Sequence, residues 1–99
     1  MANPRRDLPT IAVEFVSAGR RNRQRDYVEK RHEYMEAGIQ EYWIIDRFQR
    51  TLTVVRPGAK GPQDQVIREN ETYKTPLLPG FTLPLARLLA AADRRARQR

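Results

Sequence analysis

The chain predicts a small mixed α/β unit with the element order β-α-β-β-β-α, and three observations carry that reading. Ile11, Ala12, Val13, Phe15 and Val16 make an almost continuous apolar run with β-branched members, the pattern of a strand covered on both faces. A charged segment of helical periodicity follows it. Tyr42, Trp43, Ile44 and Ile45 then give a second apolar strand, so the helix crosses from one strand to the next. One residue interrupts the first run, Glu14. An ionised carboxylate buried without a partner costs several kcal/mol, so Glu14 is expected to hold a metal ion or a cation from the neighbouring helix.

Taken in order, residues 1–8 read as an irregular lead-in, 9–92 as the folded domain and 93–99 as a basic tail. Ser17, Ala18 and Gly19 end the first strand, and Arg20, Arg21, Arg23 and Arg25 crowd the connection after it. Asp26 with Glu29 three positions on forms a capping box, which starts the helix near Asp26 or slightly before, and Gly38 stops it. At 100° per residue Tyr27, Val28, Tyr34, Met35 and Gly38 share one arc, whereas Glu29, His32, Glu33 and Glu36 face solvent. Arg31 projects into the middle of the apolar arc and Lys30 sits at its edge. Either can reach back to the strand.

Asp46 ends the second strand and shapes the turn through Arg47 to Arg50. Thr51 to Val55 alternate as a strand with one solvated face, which makes a hairpin with the second strand. Pro57, Gly58, Gly61 and Pro62 form a loop; Val66 to Arg68 and Thr72 to Lys74 offer one or two short strands. The run PLLPGFTLP is expected to be irregular because its three prolines remove amide donors, and Leu85 to Ala92 read as a short amphipathic helix. Tyr27, Tyr34, Tyr42 and Trp43 are assigned to helix–sheet packing rather than base stacking. Glu41 is expected to be an exposed charge or a partner for Arg31.

Composition narrows the function. A chain of 99 residues forms one domain and buries only about 60–65% of its unfolded surface, which leaves a thin core and invites a partner. With 31% charged residues, no apolar run of spanning length and no signal-peptide core at the start, the chain reads as cytoplasmic and without a membrane partner. The absence of cysteine excludes disulfides and thiolate sites, and the single histidine, His32, excludes a histidine cluster. A metal would therefore sit on oxygens. There is no G-x-S-x-G, Walker loop or dinucleotide fingerprint. The net charge of +7 suits a phosphate-bearing partner, with the clusters at Arg20 to Arg25 and at Arg87, Arg94, Arg95, Arg97 and Arg99.

What remains is Glu14 on a strand with a cation presented by the crossing helix. Such a carboxylate can hold Mg²⁺, and a nearby ammonium can orient water and stabilise phosphate charge, the requirements of phosphodiester hydrolysis. The alternative is a buried ion pair, Glu14 with Lys30 or Arg31, that ties helix to sheet. Spacing alone does not choose between them.

The blocks PTIAVEFVS, RDYVEKRHEYMEAGIQEYWIID and TPLLPGFTLPLARLL, in that order from roughly Leu8 to Leu89, resemble the C-terminal half of the Uma-two family of restriction-endonuclease-like proteins in the PD-(D/E)XK nuclease superfamily. The resemblance implies a restriction-endonuclease-like core, DNA as partner and Mg²⁺, or Mn²⁺, as cofactor. It also implies Glu14 as metal ligand and catalytic residue and Lys30 as catalytic charge stabiliser. In the superfamily the lysine usually follows the acid as E-x-K; here that position is Val16, and relatives like this one carry the lysine on the following helix, which matches Lys30.

The chain departs from the pattern at Thr10, where many relatives have Asp. The family's first metal-binding Asp lies on an earlier strand, and Asp7 is a loop charge rather than its substitute. The expectation is thus an incomplete nuclease core, completed by a missing N-terminal segment or paired as a homodimer, with Arg20, Arg21, Arg23 and Arg25 binding nucleic acid. The rival readings are an inactive nucleic-acid-binding or protein-interaction module of the same fold, and a structural Glu14–Arg31 ion pair.

Overall fold

The computed structural model describes residues 10–16 and 24–97, with backbone only for Gln24, Arg25 and Asp26. Strand β1 (Ile11–Phe15) lies parallel to β2 (Glu41–Asp46), and helix α1 (Gln24–Glu36) falls between them in sequence. Strands β3 (Thr51–Arg56) and β4 (Gln63–Arg68) continue the sheet antiparallel, in the order β1-β2-β3-β4. A two-stranded ribbon of β5 (Thr72–Lys74) and β6 (Thr82–Pro84) leads into α2 (Leu85–Arg97).

Local chemistry sets the boundaries. Gly38 takes φ +91° after the last turn of α1; its amide donates to the Met35 carbonyl and that of Ile39 to the Tyr34 carbonyl, a paired closure that L side chains with a Cβ resist. In the β2–β3 turn the Asp46 carboxylate accepts from the amides of Phe48 at 2.9 Å and Gln49 at 3.0 Å, as its position at the strand end predicted. Helix α1 starts at Gln24, slightly before Asp26, which is its third residue and not its cap.

The four-stranded sheet has two unlike faces. On one, Trp43, Ile45, Leu52, Val54 and Ile67 pack with Tyr73, Leu85 and Leu89 from the ribbon and α2. This is the core. On the other face lie Ala12, Glu14, Tyr42 and Ile44, under α1, which has no fully buried residue between Tyr27 and Glu36. Among the described residues the first strand is not covered on both faces: Val13 and Phe15 are each 50% exposed, because β1 is the edge strand of the described sheet and the ribbon and α2 sit over β2 to β4.

Two further expectations are corrected. The PLLPGFTLP run is not wholly irregular, since Thr82 to Pro84 pair with β5; Pro84 stands last in a two-stranded ribbon, where one missing donor breaks no central ladder, and Leu83 packs on the core. Residues 93–97 are not a loose tail but the end of α2. Asp93 accepts from Arg50 Nη1 at 3.0 and 3.2 Å, and Arg94, Arg95 and Arg97 lie at the negative end of the helix dipole.

Glu41 is neither exposed nor bonded to Arg31. It is 2% exposed on the core face, in phase with Trp43 and Ile45, and every lone-pair direction is used. Oε1 accepts from Trp43 Nε1 at 2.8 Å and from the Tyr73 hydroxyl at 2.9 Å; Oε2 accepts from Thr75 Oγ1 at 2.6 Å and Arg56 Nε at 3.3 Å. Burial pushes this carboxyl up, but the bonds from Thr75, Trp43, Tyr73 and Arg56 outweigh it and hold the group below the usual carboxylate range. The Tyr73 phenol is pushed up, by burial first and then by its bond to Glu41.

Replacing Glu41 by Gln puts an NH₂ against donors and removes the charge facing Arg56, and is expected to cost about 3 kcal/mol in urea unfolding at pH 7. Because the folded value lies below the unfolded one, Glu41 stabilises above its unfolded pKa of about 4.3 and the contribution is lost as pH falls through the lower folded value. The Glu41→Gln chain should therefore lose less stability than the wild type between pH 5 and pH 3, measured by the same unfolding series.

Candidate functional site

Glu14 lies on the α1 side of β1 because strand alternation sends Val13 and Phe15 the other way. The parallel register sets Ala12 opposite Tyr42 and Glu14 opposite Ile44, so Tyr42 stands diagonally beside Glu14 on the same face. Over this pair α1 places Lys30 and Tyr34, four residues and about one turn apart.

Lys30 Nζ donates to Glu14 Oε1 at 2.8 Å, with the two side chains 31% and 15% exposed. Glu14 Oε2 is buried and accepts no hydrogen bond among the described residues. The Tyr34 and Tyr42 rings meet edge to face with centroids 4.8 Å apart. Tyr42 is fully buried, as its packing assignment predicted, yet its hydroxyl has no hydrogen bond among the described residues. That hydroxyl is pushed strongly up, by burial first and then by the charge of Glu14, which lies within reach of it without a well-formed hydrogen bond.

Arg31 takes another course. It donates to Asp64 of β4 through Nη2, so the Glu14–Arg31 ion pair is not formed; one residue further along the helix its side chain is turned by about 100° and reaches across the same face of the sheet to β4. Arg31 and Asp64 instead rim a cleft of about 250 Å³, with Val16, Ile44, Asp46 and Thr53 among its walls. Since Ile44 is opposite Glu14 in the register, the cleft adjoins the Glu14–Lys30 pair. His32 is exposed.

Of the four arginines read as nucleic-acid contacts, Arg20, Arg21 and Arg23 lie outside the described residues, and Arg25 is described only by its backbone in the first turn of α1. The sequence singled out Glu14 and Lys30 but treated Tyr42 as packing alone. Strand register was the missing signal, since a tyrosine's burial can be read from its apolar neighbours but not which carboxylate its hydroxyl faces.

As a cation site the geometry supplies one protein ligand. Glu14 Oε2 is buried and unbonded in the geometry while Oε1 carries Lys30's bond, and among the described residues no group of three His, Cys, Asp or Glu comes together. Mg²⁺ is commonly held by one or two carboxylates plus waters and substrate phosphate, so a single carboxylate meets the lower end of that need.

Comparison with known proteins gives a family and a fold. Residues 2–86 match Uma2, a family described as "Putative restriction endonuclease". The crystal structure of a "putative nuclease belonging to DUF820 from Anabaena variabilis ATCC 29413" superposes with a TM-score of 0.68 at 20% identity, over 84% of this chain and 45% of that one. This chain therefore spans less than half the length of that nuclease, and the likeness bears on the fold. No match was found among curated proteins.

The two ion pairs on α1 should differ in weight. Lys30→Met strands a mostly buried carboxylate and is expected to cost about 2 kcal/mol, most of it recovered when Glu14→Gln is added, whereas Arg31→Met at its more open pair should cost under about 1 kcal/mol. A double-mutant cycle by urea unfolding measures both.

Proposed function

This chain belongs to the Uma2 family, and from that premise we propose that it acts as part of a Mg²⁺-dependent DNA endonuclease domain that hydrolyses phosphodiesters at Glu14 and Lys30. The observation that carries the reading is the 2.8 Å Lys30–Glu14 contact, which uses one carboxylate oxygen and leaves Oε2 for a cation. The fold of the matched nuclease is consistent with it.

Glu14 Oε2 would hold the ion, Mg²⁺ or Mn²⁺, which when bound supplies Lewis-acid polarisation of the phosphodiester. Lys30 has two tasks. It fixes the carboxylate through Oε1, and its positive charge beside the reacting phosphorus stabilises the negative charge that grows as water oxygen bonds to phosphorus and the ester P–O bond breaks. The neighbouring cleft receives the strand next to that phosphate, and Arg20, Arg21, Arg23 and Arg25 contact the phosphates further along.

A second reading is an inactive nucleic-acid-binding module of the same fold, and the lack of a three-acid cluster among the described residues favours it. Plasmid cleavage separates the two. The nuclease reading expects nicking with Mg²⁺ or Mn²⁺ that falls by about 10²–10³ in Glu14→Gln and in Lys30→Ala, with folding checked by circular dichroism. Salt-sensitive DNA binding without cleavage, lost when the four arginines are neutralised, would establish the second reading instead.

A further inference from the structure

Helix α2 carries a charge pattern that folding does not explain. Arg87, Arg94, Arg95 and Arg97 are exposed, and none of them takes part in an ion pair among the described residues. Cations in the last turn stabilise a helix, so Arg94, Arg95 and Arg97 have a local reason to be there. Arg87 has none. It is the third residue of α2, in a first turn without an acid, where its charge opposes the positive helix end. At 100° per residue Arg87 and Arg94 fall within about 20° of one line along the helix, about 10.5 Å apart, with Arg95 and Arg97 flanking that line on either side. Leu85 and Leu89 stand about 160° round from Arg87 and are fully buried, so the line runs along the outer surface. Ala86, Ala90 and Ala91 are exposed beside it and leave that surface low. The sole acid of α2, Asp93, lies about 120° round from Arg87 and is bonded to Arg50 Nη1 at 3.0 and 3.2 Å.

We propose that the outer face of α2 is a second nucleic-acid contact, where Arg87, Arg94, Arg95 and Arg97 bind the phosphate backbone of duplex DNA without reading its sequence. A row of unpaired guanidinium groups with no acid among them suits a polyanion whose charges recur along a line. That the polyanion is DNA rests on the nuclease reading above. A lipid surface is excluded, because the apolar side of α2 that would enter it is already committed to the core through Leu85 and Leu89. A single strand is disfavoured as well, since the exposed face offers arginine and alanine and no aromatic ring on which bases stack. The helix packs on the core face of the sheet, whereas Glu14 and Lys30 meet on the other. The strip therefore holds DNA away from the phosphate at that pair.

The test is fluorescence anisotropy of a labelled DNA duplex of about 16 base pairs with the whole chain in EDTA, so that no cleavage intervenes, over about 50–200 mM salt. Changing all four arginines to Gln should lower the slope of log K against log salt by about 3 and weaken binding roughly 10-fold or more. Arg87→Gln alone should lower the slope by about 1 and leave the melting temperature equal or higher, because it removes a charge that opposes the helix dipole. Should the fourfold variant fail to fold, the single one decides by the same slope. An unchanged slope, or no duplex binding by the wild type, overturns the proposal. A melting temperature several degrees lower in Arg87→Gln also overturns it, since Arg87 would then serve the fold. Displacement of the duplex by polyglutamate at equal charge concentration, or tighter binding of a duplex RNA of the same sequence, overturns DNA as the occupant. Plasmid nicking with an unchanged slope removes this proposal alone, whereas a lowered slope without nicking upholds the α2 contact and removes only the nuclease reading.

Discussion

A carboxylate taken out of water must have its lone pairs filled, and this constraint organises both faces of the sheet. Glu41 meets it completely, with two donors on each oxygen. Those donors come from β2, β3, β5 and the residue after β5, so one side chain joins the sheet to the ribbon that carries α2. A chain of this size has a small core, and directional bonds to a buried charge make that core specific as well as cohesive.

Glu14 stands on the next strand under the same constraint and meets it only in part. Lys30 supplies one bond, and the second oxygen is buried and unbonded among the described residues. The difference between the two acids separates their tasks. A carboxylate with donors on every lone pair has none left for a further partner, whereas Glu14, bonded by Lys30 at Oε1 and facing the Tyr42 phenol without a well-formed hydrogen bond, is only half satisfied. Helix α1 has no fully buried residue between Tyr27 and Glu36, and a cleft lined in part by its Tyr27, Val28 and Arg31 opens on that side of the sheet.

Most of the element order was legible because period-two and period-3.6 patterns are local. The apolar runs in β1 and β2, the hairpin turn at Asp46 and the stop at Gly38 all follow from residues within a few positions of each other. The errors have a common physical origin in neighbours distant along the chain. Residues 93–97 stay helical with Asp93 bonded to Arg50, β6 forms because Leu83 has a core to pack on, and Val13 and Phe15 stay half-exposed because nothing described covers the sheet edge. Glu41 could have been placed on the core face from its alternation with Trp43 and Ile45, but its four donors could not.

By itself the sequence determined the family, the strand–helix–strand order, and the presence of an acid on the first strand with a cation on the following helix, since each is written in consecutive residues. The resemblance pointed to Lys30 without giving a physical reason; why Lys30 and not Arg31 reaches that acid, and that Tyr42 faces it, was decided only by the tertiary structure. Lys30 and Arg31 are adjacent and equally charged; the 100° turn between them, together with the parallel register of β1 and β2, sends one to Glu14 and the other to Asp64.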